Sequence, residues 1–329
     1  MTVLRGSDAA AIEQAASQLA GGGLVAFPTE TVYGLGARAD ADDAVAGIFA
    51  AKGRPSEHPL IVHVADANAA SAFAARLTDT AQRLMAAFWP GPLTVVVPRR
   101  ADVAAAAAGG WPTVALRCPD HAVAQALLRR AHALGVPGVA APSANRFGRV
   151  SPTCADHVQR EFGPELMVLD GGACREGIES TIVDCSRGAP VLLRPGTVTI
   201  AAIEAVLGQP LQARDAAAPR ASGDLESHYA PTAEVRLAPA AELPAAVRGA
   251  VAQWGPLAVG VYSRAAPLPF DMTRFIAMPD NAAAMAHELY AVLRRLDALG
   301  VRQIWVETPA DQPGWEGVRD RLQRSAAPR

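Results

Sequence analysis

The chain has 329 residues, half of them hydrophobic, and its 30 Lys+Arg against 32 Asp+Glu leave a formal net charge of −2. That composition supports ordinary apolar cores and roughly two domains, and it excludes a strongly basic tail-type nucleic-acid binder and an acidic disordered chain. With 28 Gly and 26 Pro, collagen-like and low-complexity classes fall away too. In chain order, Asp8 to Ala20 reads as a helix ended by Gly21-Gly22-Gly23, because glycines are costly inside a helix and tolerate positive φ after it. Leu24 to Phe27 reads as a short buried strand closed by Pro28. Asp42 to Lys52 is a helix with Val45, Ile48 and Phe49 on one face. Leu60 to Val64 is a strand, and Thr78 to Trp89 a helix stopped by Pro90-Gly91-Pro92. Leu93 to Val97 and Val114 to Arg117 are strands, His121 to Leu134 a helix, and Val139 to Pro142 a short apolar strand. Ala155 to Phe162 is a helix; Met167 to Asp170, Ser180 to Asp184 and Val191 to Arg194 are strands; Thr199 to Val206 is the last helix of the set.

These elements mix without a strict βαβ repeat, which favours an α+β or mixed-sheet domain over a doubly wound one. Composition changes near Gly208: Gln209 to Leu225 is polar and rich in Ala, Pro and Gly, and reads as a linker. After Pro231 the pattern restarts. Val235 to Leu237, Leu257 to Tyr262 and Gln303 to Val306 read as strands, and Trp315 to Arg324 as a helix. Asn281 to Leu299 is a long amphipathic helix anchored by Leu289, Leu293 and Leu296. The expected organisation is therefore a first domain over 1–208, a linker over 209–232 and a small α/β domain over 233–329.

Cys118, Cys154, Cys174 and Cys185 form no C-x-x-C pair, so they read as buried or inert thiols rather than a zinc or redox centre. No charged-then-apolar leader and no uncharged run of about 18 residues is visible, so a cytoplasmic protein without a membrane span is expected.

Six segments could carry chemistry. Phe27-Pro-Thr-Glu-Thr-Val-Tyr-Gly-Leu-Gly36 follows a strand and is crowded with hydroxyls, one carboxylate and glycines; it suits a small polar ligand, or is a strand–turn–strand with surface threonines. Lys52-Gly53-Arg54-Pro55 places two cations at a helix end. They could clamp phosphate oxygens or merely complement the helix dipole. His58 and His63 flank a buried strand, where a lone imidazole is more often structural. Ala141-Pro-Ser-Ala-Asn145, followed by Ser151-Pro-Thr153, offers hydrogen bonds from small residues or is a turn. Glu179-Ser180-Thr181 enters a strand and Arg194-Pro195-Gly196 leaves the next. His228-Tyr229-Ala230-Pro231 puts aromatics in an otherwise plain linker, as domain packing or as a lid. No Ser-His-Asp or Cys-His arrangement and no metal-ligand cluster can be argued from spacing.

Taken together, these segments resemble the YrdC-like family of threonylcarbamoyl-AMP synthases in its longer, two-domain form. Trp89-Pro-Gly-Pro-Leu-Thr94, Val114-Ala-Leu-Arg117, Glu179-Ser-Thr-Ile182 and Leu193-Arg-Pro-Gly196 fall into the same ordered series, from about Leu24 to Gly196. The second domain matches more loosely, through Leu289-Tyr290, Leu293-Arg294, Asp297 and Asp320-Arg321-Leu322. The resemblance implies an α/β fold: a YrdC-like twisted mixed open sheet with helices, then a smaller Rossmann-like α/β domain. It implies that L-threonine, bicarbonate or CO₂, and ATP are joined into L-threonylcarbamoyladenylate with release of pyrophosphate. Partner proteins of the threonylcarbamoyl-transferase machinery would then modify ANN-decoding tRNAs, and Mg²⁺ would accompany the ATP. By motif position, Thr31, His63, Arg117, Ala141 and Ser180 are the implied L-threonine contacts. Lys52, Arg54, His58, Thr113, Ser143, Asn145, Ser151, Arg194 and Tyr229 are the implied ATP contacts. The chain departs from some members in having His58 where they have Asn, and in reading Ser222-Gly-Asp-Leu-Glu-Ser227 where they carry Pro-Gly-Met and basic residues. Such chemistry needs alignment and cationic stabilisation rather than a protein nucleophile. The competing expectations are an RNA-binding module with a local basic patch and weak RNA binding, and a carbamoyltransferase acting on another acceptor.

Overall fold

The computed structural model describes residues 3–223, 228–265 and 274–328, so Asp224 to Ser227, inside the linker expected over 209–232, lies outside the described residues. The chain divides into two compact units, 1–147 with 152–224, and 148–151 with 225–329.

In the first unit the elements are β1 (Val3–Arg5), α1 (Ala9–Ala20), β2 (Val25–Phe27), β3 (Gly34–Arg38), α2 (Asp42–Lys52), β4 (Ile61–His63), α3 (Asp79–Phe88), β5 (Leu93–Pro98), β6 (Thr113–Arg117), α4 (Ala122–Ala133), β7 (Val139–Ala140), α5 (Ala155–Phe162), β8 (Met167–Asp170), β9 (Thr181–Asp184), β10 (Val191–Arg194) and α6 (Ile200–Leu207). Helices expected from Asp8, Thr78, His121 and Thr199 begin one residue later, because those four residues are the N-caps. Asp8 accepts from the amide of Ala10 at 3.0 Å, Thr78 from Ala81 and Thr199 from Ala202 at 3.2 Å, and His121 Nδ1 from Val123 at 3.2 Å.

The strands form one ten-stranded mixed sheet in the order β1-β8-β2-β3-β7-β4-β6-β5-β9-β10, as a mixed rather than doubly wound fold requires. One of these strands, β1, escapes the sequence reading: it is three residues at the sheet edge, parallel to β8. β3 is open there only as the strand–turn–strand alternative, since Gly34 and Gly36 are poor strand formers, and Thr29 and Thr31 are buried rather than at the surface. Gly36 is needed for close approach: a Cβ there would lie 2.7 Å from Val139 Cγ1 and 2.8 Å from Phe27 Cε1.

Strand alternation sorts the sheet into two faces. Leu93, Val95, Val97, Val114, Leu116, Val62 and Val183 point into the main core with residues of α2, α3 and α6. On the other face, Val25, Phe27 and Val139 pack with α1 and α4. Further along that face, Ile61, Val96, Ile182, Val191 and Leu193 meet Ala218 and Ala221 rather than a helix. The stretch 209–223, which reads as linker, thus lies against the sheet. Gln212 exchanges backbone bonds with Leu192 and Pro190 at 3.2 and 2.8 Å, and Arg187 pairs with Asp215 at 3.0 Å. Small alanines without periodicity gave no sequence signal of this packing.

The second unit contains β11 (Glu234–Ala238), α7 (Leu243–Trp254), β12 (Val259–Ser263), β13 (Phe275–Ala277), α8 (Ala282–Ala298), β14 (Gln303–Glu307) and α9 (Glu316–Ala326). Its four strands form an all-parallel sheet in the order β11-β14-β12-β13, the small α/β arrangement expected. Leu289, Leu293 and Leu296 are all fully buried, as the helical spacing requires. The sequence reading misses α7, which starts with a proline in its first turn and carries Gly249, and β13. Among the described residues, no helix is long and apolar enough to cross a membrane.

Candidate active site

On the helix-poor sheet face a set of polar residues fills the gap between the two apolar clusters. Period-two alternation places His63 beyond Ile61, Arg117 beyond Ala115 and Thr94 before Val96, all on that face. β4 and β6 are parallel with His63 opposite Arg117. β5 runs antiparallel to β6 with Val95 opposite Leu116, so Thr94 falls beside Arg117 one step further along the same ladder.

Arg117 is buried and its Nη2 lies 2.8 Å from Glu30 Oε1, with side-chain exposures of only 4% and 1%. Its Nε donates to the Gly91 carbonyl at 3.4 Å. Glu30 is a site residue that sequence reasoning did not assign; the signal was a lone carboxylate inside a string of hydroxyl and apolar residues. A charge buried to this degree must be paired, so the pair fixes where the guanidinium stands.

The Glu30 loop is rigidly built. Thr29 Oγ1 accepts from the amides of Thr31 and Val32 at 3.2 Å and donates to the Val32 carbonyl at 2.6 Å. Its hydrogen is thereby used, so Thr31 donates in the 2.8 Å contact between the two threonine hydroxyls. The loop is laced to the Ala141–Asn145 string: Ala144 N donates to Tyr33 O at 2.8 Å and Leu35 N to Pro142 O at 2.8 Å. Ala141 N donates in turn to Ile61 O at 2.9 Å, two residues before His63.

His63 is buried with its ring edge-on to Phe27 at 6.0 Å between centroids. Burial, and then the neighbouring Arg117 charge, push its pKa from 6.5 down to about 3. The ring is therefore neutral near pH 7; it can hydrogen-bond but brings no charge. Linkage gives a test. A folded-state pKa below the unfolded one makes the His63 contribution to stability complete above about pH 6.5 and lost as pH falls towards 3, at up to about 1.4 kcal/mol per pH unit. Urea unfolding at pH 7 and pH 5 is expected to show a smaller acid loss for His63→Asn than for wild type. Equal losses would sink this assignment.

Ser180 Oγ sits 2.8 Å from Thr94 Oγ1, a second unpredicted partner whose signal was one polar residue in a buried strand. Arg194 Nε and Nη2 donate to the Ser180 carbonyl at 3.1 and 2.9 Å, and Nη1 to Ser222 O at 2.7 Å. The structure thus ties Arg194, expected on ATP, to Ser180, expected on L-threonine. Gly196 makes the approach possible, since a Cβ there would be 2.4 Å from the Thr181 amide nitrogen.

The Lys52 region forms a second cluster. Lys52 is buried and its Nζ donates to the carbonyls of Ser143, at 2.6 Å, and Asn145. Burial first, and the Arg54 charge second, lower its pKa well below the usual lysine range; an anion beside it would act in the opposite direction and favour the ammonium. Arg54 Nη2 donates to Pro59 O at 3.2 Å, and its guanidinium lies 5.7 Å from the Phe147 ring centroid. His58 meets the same ring edge-on at 5.7 Å. His58 precedes β4 and Thr113 begins β6, so they sit at the opposite end of these strands from His63 and Arg117, about 13 Å away along β6 at 3.3 Å per residue. Ser151 and Tyr229 belong to the second unit. Among the described residues, no group of three His, Cys, Asp or Glu could hold a metal ion. The cysteines are free thiols; Cys154 is half-buried, and burial pushes Cys118 and Cys174 up, and Cys185 up to about 12.

Two family models match successive parts of the chain. A family model described as "Telomere recombination" matches residues 17–196, and one described as "Threonylcarbamoyl-AMP synthase, C-terminal domain" matches residues 198–327. A threonylcarbamoyl-AMP synthase of Pyrococcus abyssi is 37% identical over 96% of this chain and 94% of that protein. One of Bacillus subtilis is 38% identical over 97% and 93%. A crystal structure of P. abyssi Sua5 complexed with L-threonine superposes with a TM-score of 0.87 at 36% identity, covering 96% of this chain and 94% of that one.

Proposed function

The chain belongs to the threonylcarbamoyl-AMP synthase family and is an enzyme, and from that premise we propose that it joins L-threonine, bicarbonate (or CO₂) and ATP into L-threonylcarbamoyladenylate, releasing pyrophosphate and, from bicarbonate, water. The observation that carries this reading is the polar set on the helix-poor sheet face, with the buried Arg117–Glu30 pair beside a neutral His63. Arg117 offers a fixed cation to the threonine carboxylate, and Thr31, His63 and Ser180 offer hydrogen bonds without a competing charge. Ala141 contributes its backbone there.

The reaction needs two bond-forming steps. The threonine amine adds to CO₂, losing a proton, and the resulting carbamate oxygen attacks the α-phosphorus as pyrophosphate leaves. Lys52, Arg54 and Arg194 supply positive charge where phosphate charge develops, and Ser143, Asn145, Ser151, Thr113, His58 and Tyr229 complete the nucleotide set. Mg²⁺ enters with ATP as part of the substrate. The product is a mixed anhydride, suited to passing its threonylcarbamoyl group on. The acceptor we assign is the adenosine 3′ of the anticodon in ANN-decoding tRNAs, with partner proteins making the transfer.

Full-length protein incubated with MgATP, L-threonine and bicarbonate is expected to release pyrophosphate only when threonine is present. Threonine-independent release, or none, would overturn the proposal. Activity with carbamoyl phosphate in place of threonine and bicarbonate would mark a carbamoyltransferase instead.

A further inference from the structure

The four residues Gly148 to Ser151 come from the middle of the first unit's sequence yet group with the second unit. Ala230 N donates to Gly148 O at 3.0 Å, and Arg149 and Ala230 form a parallel bridge. Two strings far apart in sequence, one ending at Ser151 and one holding Tyr229, are thereby joined side by side.

Helices α8 and α9 grip this pair. Tyr290, Arg294 and Asp297 lie at i, i+4 and i+7 on one face of α8. Tyr290 stacks on Tyr229 with 5.7 Å between centroids. Arg294 donates to the Val150 carbonyl, and to that of Ser151 at 3.4 Å. Asp297 accepts from the amides of Thr232 and Ala233 at 3.0 and 2.8 Å. From α9, the fully buried Arg321 lies 5.4 Å from the Tyr229 ring centroid and pairs with Asp320. Ser325 Oγ shares its one hydrogen between Tyr229 O, at 3.0 Å, and the Arg321 carbonyl, at 2.8 Å. Tyr229 has φ +60°, a left-handed conformation that a tyrosine holds only when its surroundings over-determine it.

We propose that the second unit is a positioning device, in which Arg294 and Arg321 are positioning residues that hold Ser151 and Tyr229 in one preset arrangement for the nucleotide. The nucleotide half of this claim rests on the function proposed above; the positioning half rests on the contacts alone.

The test uses full-length Arg294→Ala, Arg294→Lys and Arg321→Met, with two readouts. Amide exchange over 149–151 and 228–230 is expected to rise about tenfold or more in Arg294→Ala and Arg321→Met. KM for ATP is expected to rise about tenfold, as loss of a charge-assisted bond predicts, while KM for L-threonine stays within about twofold. Arg294→Lys restores most of both, because an ammonium can still donate to the two carbonyls. Unchanged exchange in a folded Arg294→Ala protein overturns the proposal, and so does an equal rise of both KM values. If the wild type releases no threonine-dependent pyrophosphate, the function proposed above fails while exchange still decides the positioning claim.

Discussion

Arg117→Ala is expected to abolish threonine-dependent pyrophosphate release and to destabilise the fold by about 3–5 kcal/mol, the cost of leaving a buried charge without its partner. The reason is local. Glu30 is 1% exposed and faces Arg117 at 2.8 Å, so removing the guanidinium strands a carboxylate where water cannot reach it. The decisive comparison is the double variant Arg117→Ala with Glu30→Gln. Neutralising Glu30 removes the stranded charge, so denaturant unfolding should recover at least half of the lost stability. Activity should stay absent, because the cation for the threonine carboxylate is still missing. If the double variant regains turnover, Arg117 does not bind substrate. If it regains no stability, the ion pair is not what holds the loop.

Lys52→Met is expected to lower the turnover rate by about 10²-fold or more, with a fold-stability loss of about 2–3 kcal/mol. Methionine keeps the length of the side chain but leaves the carbonyls of Ser143 and Asn145 without their buried donor. The same change removes a positive charge from the proposed phosphate cluster. Arg54→Ala separates the two effects. Its guanidinium donates to the Pro59 carbonyl at 3.2 Å, a longer bond than the 2.6 Å one from Lys52 to Ser143, and packs on Phe147, so a comparable loss of rate should come with a smaller loss of stability. Wild-type pyrophosphate release in both variants would remove these residues from the nucleotide set.

Much of this was legible from residues alone because the signals are local. Asp8, Thr78 and Thr199 mark helix starts through their side chains, and Gly53 and Gly208 close α2 and α6 in left-handed conformations. The buried strands announce themselves as Leu-Thr-Val-Val-Val and Ile-Val-His. β3 did not, because the two glycines that let it pass Phe27 and Val139 also erase its strand propensity. The packing of 209–223 did not either, since Ala218 and Ala221 bury too little apolar surface to leave a pattern.

The site divides along the same line. Residue identity alone supplies the chemical inventory: hydroxyls around Thr31, cations at Lys52, Arg54, Arg117 and Arg194, His58 ahead of β4 and His63 at its end, and no Ser-His-Asp or Cys-His spacing among them. It also determined that these lie in ordered strings on short strands and their loops. Which of them share a surface follows from folding. Strand pairing between segments distant in the chain set His63 beside Arg117, and the loop before β3 delivered Glu30 to that guanidinium. Folding also decided that His63 is uncharged, that Arg194 holds Ser180, and that Ser151 shares a unit with Tyr229. The physical reason is that side-chain identity is written residue by residue. Burial, pairing and pKa arise from neighbours that only folding brings within a few ångströms.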